Sequence, residues 1–166
     1  MCRVLAYLGK PIPLENLLYK PDSLLLKQTY QPQMLHMLNL AGFGMMAWDP
    51  ASHLPATPYR YATTELPVFD ANLRNLSGKL RPRCALAHVR GVPYHEGVDV
   101  SRQNLHPFHY EGTSLALAHN GDLAQFEMYK FTLAEHVRPE IRARIRGSTD
   151  SEWIYALLLS QLKDPG

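Results

Sequence analysis

The chain is punctuated by short apolar runs, each ended by residues that turn or charge the backbone. Residues 3–8 are apolar overall and stop at Gly9-Lys10-Pro11-Ile12-Pro13, where proline cannot continue a central ladder. That pattern predicts an interior strand buried on both faces, with Cys2 at its mouth. Gly42-Phe43-Gly44-Met45-Met46-Ala47-Trp48 predicts a second strand, closed by Asp49-Pro50, whose two glycines let another backbone approach closely. Arg83–Gly91 predicts a third, small and apolar along its length and abruptly charged at its end. A short strand is expected at Tyr59–Thr63. Another is expected at Ser114–His119, running into Asn120-Gly121-Asp122 and paired hairpin-fashion with the segment after Asn104 through a Glu111-Gly112 turn.

Helical signals are weaker early and stronger late. Asp22 or Ser23 can cap a short helix over Leu24–Gln28, residues 30–41 read as loop with a helical fragment, and the prolines of 51–58 predict an exposed loop. Asp70 can cap a helix through about Leu76 that stops at Gly78. Residues 91–106 predict a long irregular loop of the kind that often carries function. Residues 123–136 and 138–146 read as helical or mixed, with Pro139 tolerated only near a helix start. Thr149-Asp150-Ser151-Glu152 opens a helix ahead of the apolar run Trp153–Leu162. Strands fill the first three quarters and helices the remainder, which predicts α+β layers rather than βαβ units.

Composition narrows the class. A chain of 166 residues with 46% hydrophobic and 19% charged residues suits one domain with a real core. A formal charge of +2 with eight histidines gives no electrostatic argument for nucleic acid or a membrane surface as partner. Only Cys2 and Cys84 could form disulfides, so a reducing cytoplasm is the expected compartment. The N-terminus has no basic region followed by an apolar one, and no apolar run reaches the ~20 residues of a bilayer span.

Three polar clusters end strands or open helices: His88–Arg90, His119–Asp122 and Ser148–Glu152. Arg90 at a buried strand end is either half of a structural ion pair or a planar fork for a carboxylate. Asn120-Gly121 is locally a common turn. It is also a side-chain amide beside a main-chain N–H that can face a reacting carbonyl. Asp150 is an ordinary acid of a first helical turn, or the holder of a ligand ammonium. Cys2 is an incidental small residue unless Met1 is removed, which would give it a thiol and a free α-amine on one carbon skeleton. The histidines fall in no zinc-binding spacing, and no dinucleotide or phosphate-loop motif occurs, so neither metal nor cofactor is expected.

In order along the chain, Met1-Cys2-Arg3, Gly42-Phe43-Gly44, Ala87-His88-Val89-Arg90, Asn104-Leu105-His106-Pro107-Phe108, Ala118-His119-Asn120-Gly121 and Ser148-Thr149-Asp150-Ser151-Glu152 resemble the class II glutamine amidotransferases. These belong to the N-terminal nucleophile hydrolases, and the stand-alone branch that includes γ-glutamyl hydrolases of thiol metabolism is similar in its MCR and AHVR segments. The resemblance implies a four-layer αββα sandwich with the nucleophile on a central strand, and a glutaminase domain over 1–166. It implies Cys2 as nucleophile, Asn120 and Gly121 as oxyanion donors, and Arg90 and Asp150 as holders of the substrate α-carboxylate and α-ammonium. The implied reaction is hydrolysis of the side-chain amide of glutamine or a γ-glutamyl compound through a thioester. A catalytically silent module that senses glutamine or glutamate is the alternative.

Two departures carry expectations of their own. Gly91-Val92-Pro93-Tyr94-His95 stands where the family usually has a small residue and a threonine, leaving Tyr94 or His95 to substitute. Family domains also continue with further strands beyond the helix opened by Asp150, so a further C-terminal segment or a partner chain is expected to complete the fold.

Overall fold

The computed structural model describes residues 2–20, 25–31, 39–92 and 99–163. Four strands, β1 (Arg3–Leu8), β2 (Phe43–Trp48), β3 (Tyr59–Thr63) and β4 (Cys84–Val89), form one sheet in the order β1-β4-β2-β3, with every neighbouring pair antiparallel. The register sets Arg3 and Phe43 on either side of Val89, and Leu8 and Trp48 on either side of Cys84. The start of β1, the end of β4 and the start of β2 therefore share one end of the sheet. Cys2 and Arg90 leave from that end, far along the strands from Cys84.

Main-chain bonds lock this end: Arg90 N–H donates to the Gly42 carbonyl at 2.8 Å, and Ala41 N–H to the Arg90 carbonyl at 3.1 Å. Gly42 holds φ +112, a conformation side chains resist, and a Cβ there would also press on Leu105 and the Thr63 carbonyl. Gly44 has a different reason to be glycine. A Cβ on it would run into the main-chain carbonyl of His106, so it permits the close backbone approach foreseen for this strand.

One face of the sheet packs against α1 (Glu15–Leu18) and α2 (Ala71–Ser77), burying Leu14, Leu18, Leu25, Leu26 and Leu73 against Phe43, Met45, Ala87 and Val89. Each such side chain contributes about 1.5–3 kcal/mol of transfer free energy. The opposite face receives the segment through His106 and Phe108. On that side, Phe108 and Tyr110 join the core of α3 (Phe126–His136), α4 (Pro139–Arg142) and α5 (Asp150–Gln161), which is built on Val137, Ile141, Trp153, Tyr155 and Leu159. The architecture is mixed α/β on an antiparallel sheet.

Several expectations are met and several are corrected. The Asp70 carboxylate accepts from Leu73 N–H at 2.9 Å as a helix cap, and Gly78 closes α2, although in a right-handed conformation open to any residue. Thr149 caps α5, and Pro139 opens α4. β1, in contrast, is an edge strand among the described residues. Its burial alternates, with Val4, Ala6 and Leu8 exposed, because only β4 flanks it, so the expected interior strand buried on both faces is not found.

The strand expected over Ser114–His119 shrinks to a single bridge, Phe108 to Leu117. Side-chain hydroxyls take acceptors that a ladder would use: Tyr155 Oη donates to the Leu115 carbonyl at 2.6 Å and Thr113 Oγ1 to the Tyr110 carbonyl at 2.7 Å. A second regular sheet is thus absent among the described residues. Helix α4 also ends earlier than expected. The Glu152 carboxylate captures Arg146 N–H at 3.0 Å and Gly147 N–H at 2.6 Å, which draws the chain after Arg142 toward the start of α5. Residues 22–24 of the first expected helix, and most of 30–41, lie outside the described residues. Lys27–Thr29 forms a 3₁₀ turn.

Candidate active site

The residues singled out by the sequence are linked at the Cys2 end of the sheet by a circuit of hydrogen bonds and short backbone steps. Cys2 Sγ lies 3.4 Å from both the N–H and the carbonyl oxygen of Gly91, the residue after Arg90. Across from it, Asn120 Nδ2 donates to the Cys2 carbonyl at 3.0 Å. Three residues further along, Leu123 N–H donates to Asp150 Oδ2 at 2.6 Å, so the segment 120–123 spans from the thiol-bearing residue to the first turn of α5. Ser151 adds a hydroxyl to Asp150 Oδ1 at 3.1 Å and lies 3.0 Å from His119 Nδ1.

The return path runs underneath. Arg90 is only 8% exposed, and its Nη1 donates to the Asp99 carbonyl at 2.7 Å. Fully buried Asn104 joins that loop to the start of α5. Its Nδ2 donates to Asp99 Oδ2 at 2.8 Å and Ser148 Oγ at 3.0 Å, and its Oδ1 accepts from Ser148 N–H at 2.8 Å. Asn104 therefore ties the loop that holds Arg90 to the segment that opens α5. Burial pulls the Arg90 pKa below its ordinary value, while the nearby Cys2 and Asp99 charges oppose that shift. A guanidinium desolvated this far, with a carbonyl as its protein acceptor, is suited to receive an anion.

The floor is a pair of packed histidines, their rings tilted by 50°. The His88 and His106 rings lie 4.2 Å apart, with His106 edge-on to Phe108 at 4.6 Å. Burial first, and then the neighbouring cationic groups, push His88 down to about 2 and His106 down to about 4, so both rings are neutral at pH 7. Among the described residues no cluster of His, Cys, Asp and Glu is placed to hold a metal ion.

Comparison with known proteins gives this constellation its family. A family model described as class II glutamine amidotransferases matches residues 63–166. The chain belongs to that family. It is 34% identical over 172 residues to the probable glutamine amidotransferase DUG3 of Saccharomyces cerevisiae, covering 100% of this chain and 47% of that protein. It is also 34% identical over 124 residues to the γ-glutamyl-hercynylcysteine sulfoxide hydrolase of Mycolicibacterium smegmatis, covering 73% of this chain and 51% of that one. Among solved structures, a glutamine aminotransferase class-II domain protein from Silicibacter pomeroyi superposes with a TM-score of 0.63 at 25% identity, over 97% of this chain and 55% of that chain. The chain spans about half the length of the curated relatives it matches.

Within this class II amidotransferase chain, Cys2, Arg90, Asn120 and Asp150 all take part in the circuit, whereas Cys2 and Asp150 meet only through the 120–123 segment. Gly121 lies on that segment. A Cβ there would strike the His119 ring, so the glycine keeps the turn clear of the imidazole. Sequence reasoning missed Gly91 and Asp99 as parts of the site, and quoted Asn104 and Ser148 only within motifs. A buried asparagine ahead of a His-Pro-Phe run was the available signal for Asn104. Asp99 was silent, because its role depends on loops meeting in space. Pro93, Tyr94 and His95 lie outside the described residues.

Proposed function

We propose that the chain is a glutaminase-type amidohydrolase domain that cleaves the side-chain amide of glutamine or a γ-glutamyl compound with Cys2 as nucleophile. The circuit Gly91–Cys2–Asn120–Leu123–Asp150–Ser148–Asn104–Asp99–Arg90 carries this reading. It brings a thiol, an amide donor, a cation and an anion to one strand end, which are the groups that a zwitterionic amide substrate requires. Two relatives bear names of the same chemistry, a glutamine amidotransferase and a γ-glutamyl hydrolase.

In the proposed reaction, removal of Met1 frees the Cys2 α-amine, which takes the thiol proton as Sγ attacks the amide carbon. The carbonyl π electrons move onto oxygen. The Asn120 amide, released from the Cys2 carbonyl, and the Gly121 N–H stabilise that oxyanion, with roughly 3–4 kcal/mol per well-placed donor. Collapse breaks the C–N bond, the α-ammonium gives its proton to the departing amine, and a thioester remains. Water then attacks the thioester and restores the thiol. Arg90 holds the substrate α-carboxylate and Asp150 its α-ammonium throughout. No cofactor is needed.

The four-layer αββα sandwich belongs to this reading, with the Phe108–Leu117 bridge as the start of its second sheet. So does a cytoplasmic setting. The test is an intact-mass measurement with a glutamine-mimicking diazoketone, alongside ammonia release from glutamine and γ-glutamyl compounds. Loss of Met1, a single adduct on Cys2 and no turnover in Cys2→Ala are expected. Turnover retained by folded Cys2→Ala would overturn the assignment. Glutamate binding without labelling or turnover would favour a silent sensor.

A further inference from the structure

A second concave site lies on the flank of the circuit and shares none of Cys2, Arg90, Asn120 or Asp150. This cleft of about 380 Å³ is bordered by Arg60 from β3, Arg102 from the turn before Asn104, and Arg144 and Arg146 from the segment between α4 and α5. Tyr110 and Glu152 line its floor. Four guanidinium groups around one small cleft repel one another unless acids intervene. None of the four is in an ion pair among the described residues, where the pairs are Lys20–Glu15, Lys130–Glu127 and Arg138–Glu140.

The two acids that line the cleft, Glu111 and Glu152, offset the four guanidinium charges only in part. Glu152 is 3% exposed, and its two oxygens are taken by Arg146 N–H, Gly147 N–H and the Tyr110 hydroxyl at 3.3 Å. Glu111, at the rim, accepts from Arg144 Nη2 through its main-chain carbonyl rather than its carboxylate. That bond, and the seating of Arg144 over the Tyr110 ring at 4.9 Å, fixes one guanidinium in advance. The other three line the same cleft and make no side-chain hydrogen bond among the described residues. The local field is felt by His109, which burial, Arg60 and Arg144 all press below its ordinary pKa despite a bond to the Thr113 carbonyl.

We propose that Arg60, Arg102, Arg144 and Arg146 form a binding site for a tetrahedral dianionic oxyanion, a phosphate group either free or carried as a monoester. Planar forks arriving from three separate segments match such an anion better than they match a single carboxylate. A small cleft with an aromatic floor also leaves room for the organic part of a monoester. The site is independent of the amidohydrolase reading, because its residues take no part in that chemistry.

The experiment is calorimetric titration of the full chain with inorganic phosphate and with phenyl phosphate, against chloride at matched ionic strength. Saturable binding of phosphate is expected. Arg102→Ala/Arg146→Ala should weaken it at least about tenfold, since two charge-assisted contacts are lost. The corresponding double lysine variant should retain part of the affinity. Arg60→Glu, on a different element, should weaken binding by itself and guards against a fold effect of the double variant. Tighter binding of phenyl phosphate than of phosphate would assign a monoester, and equal binding the free ion. No saturable heat beyond the chloride control, or equal affinity in wild type, the double alanine variant and Arg60→Glu, would overturn the site.

Discussion

Acidification from pH 7.5 to pH 5 should remove a large part of this protein's stability, and the cause is the histidine pair beneath the site. His88 is fully buried and His106 is 5% exposed, and the two histidines are held neutral down to about 2 and about 4, against an ordinary value of 6.5. A histidine whose folded pKa is depressed binds fewer protons folded than unfolded. Stability is therefore complete above the unfolded value and falls as pH drops below it. By pH 5 the unfolded rings are almost fully protonated and the folded ones are not, a cost of about 2 kcal/mol per ring, or roughly 4 kcal/mol for the pair. That is a substantial share of the ~5–15 kcal/mol typical of a domain. His109 shifts in the same direction and adds to the loss. Asp70 shifts down from 3.8, so its contribution disappears only below this window. Urea unfolding followed by circular dichroism at pH 7.5, 6.5, 5.5 and 5 measures the slope. His106→Gln should be less stable at pH 7.5 but lose about half of the pH dependence. A change below about 1 kcal/mol across the window in the wild type, or an unaltered slope in the variant, would refute the reasoning.

Two further outcomes follow from the packing of the site. Asn104→Ala leaves Ser148 N–H and the Asp99 carboxylate without their buried partner and frees the loop that holds Arg90 from the segment that opens α5. The expected result is a KM for glutamine raised about tenfold with kcat changed much less, read by steady-state ammonia release, and an equal fall in kcat would contradict a positioning role. Gly44→Ala forces a methyl into the His106 carbonyl across two layers, and a loss of about 3 kcal/mol in denaturant unfolding is expected. A near-neutral result would show that the 105–108 segment yields more easily than this packing implies.

Much of the fold was legible because local chemistry and periodicity agreed. The apolar runs at 3–8, 43–48 and 84–89 became strands, Asp70 and Thr149 became caps, and Pro139 opened a helix. Each of these depends on a backbone preference or a hydrogen bond within a few residues. The strand at 114–119 was misread because its hydrogen-bonding groups are claimed by hydroxyls from elsewhere, including Tyr155 some 40 residues away. β1 read as interior because its residues are apolar overall, yet the position of a strand in a sheet is a matter of neighbours rather than composition.

The sequence by itself determined which chemical groups exist and which local patterns they border: a thiol before β1, a guanidinium after β4, an amide after the apolar run 114–119 and a carboxylate in the first turn of α5. It determined this because each group is adjacent to a residue pattern that ends or begins an element. Only the tertiary structure decided that Gly91 and Asn120 flank Cys2, that Asn104 ties Asp99 to Ser148, and that four arginines from three segments share one cleft. Most of those relations join residues dozens of positions apart, and they arise from packing layers against one sheet, which no local pattern encodes.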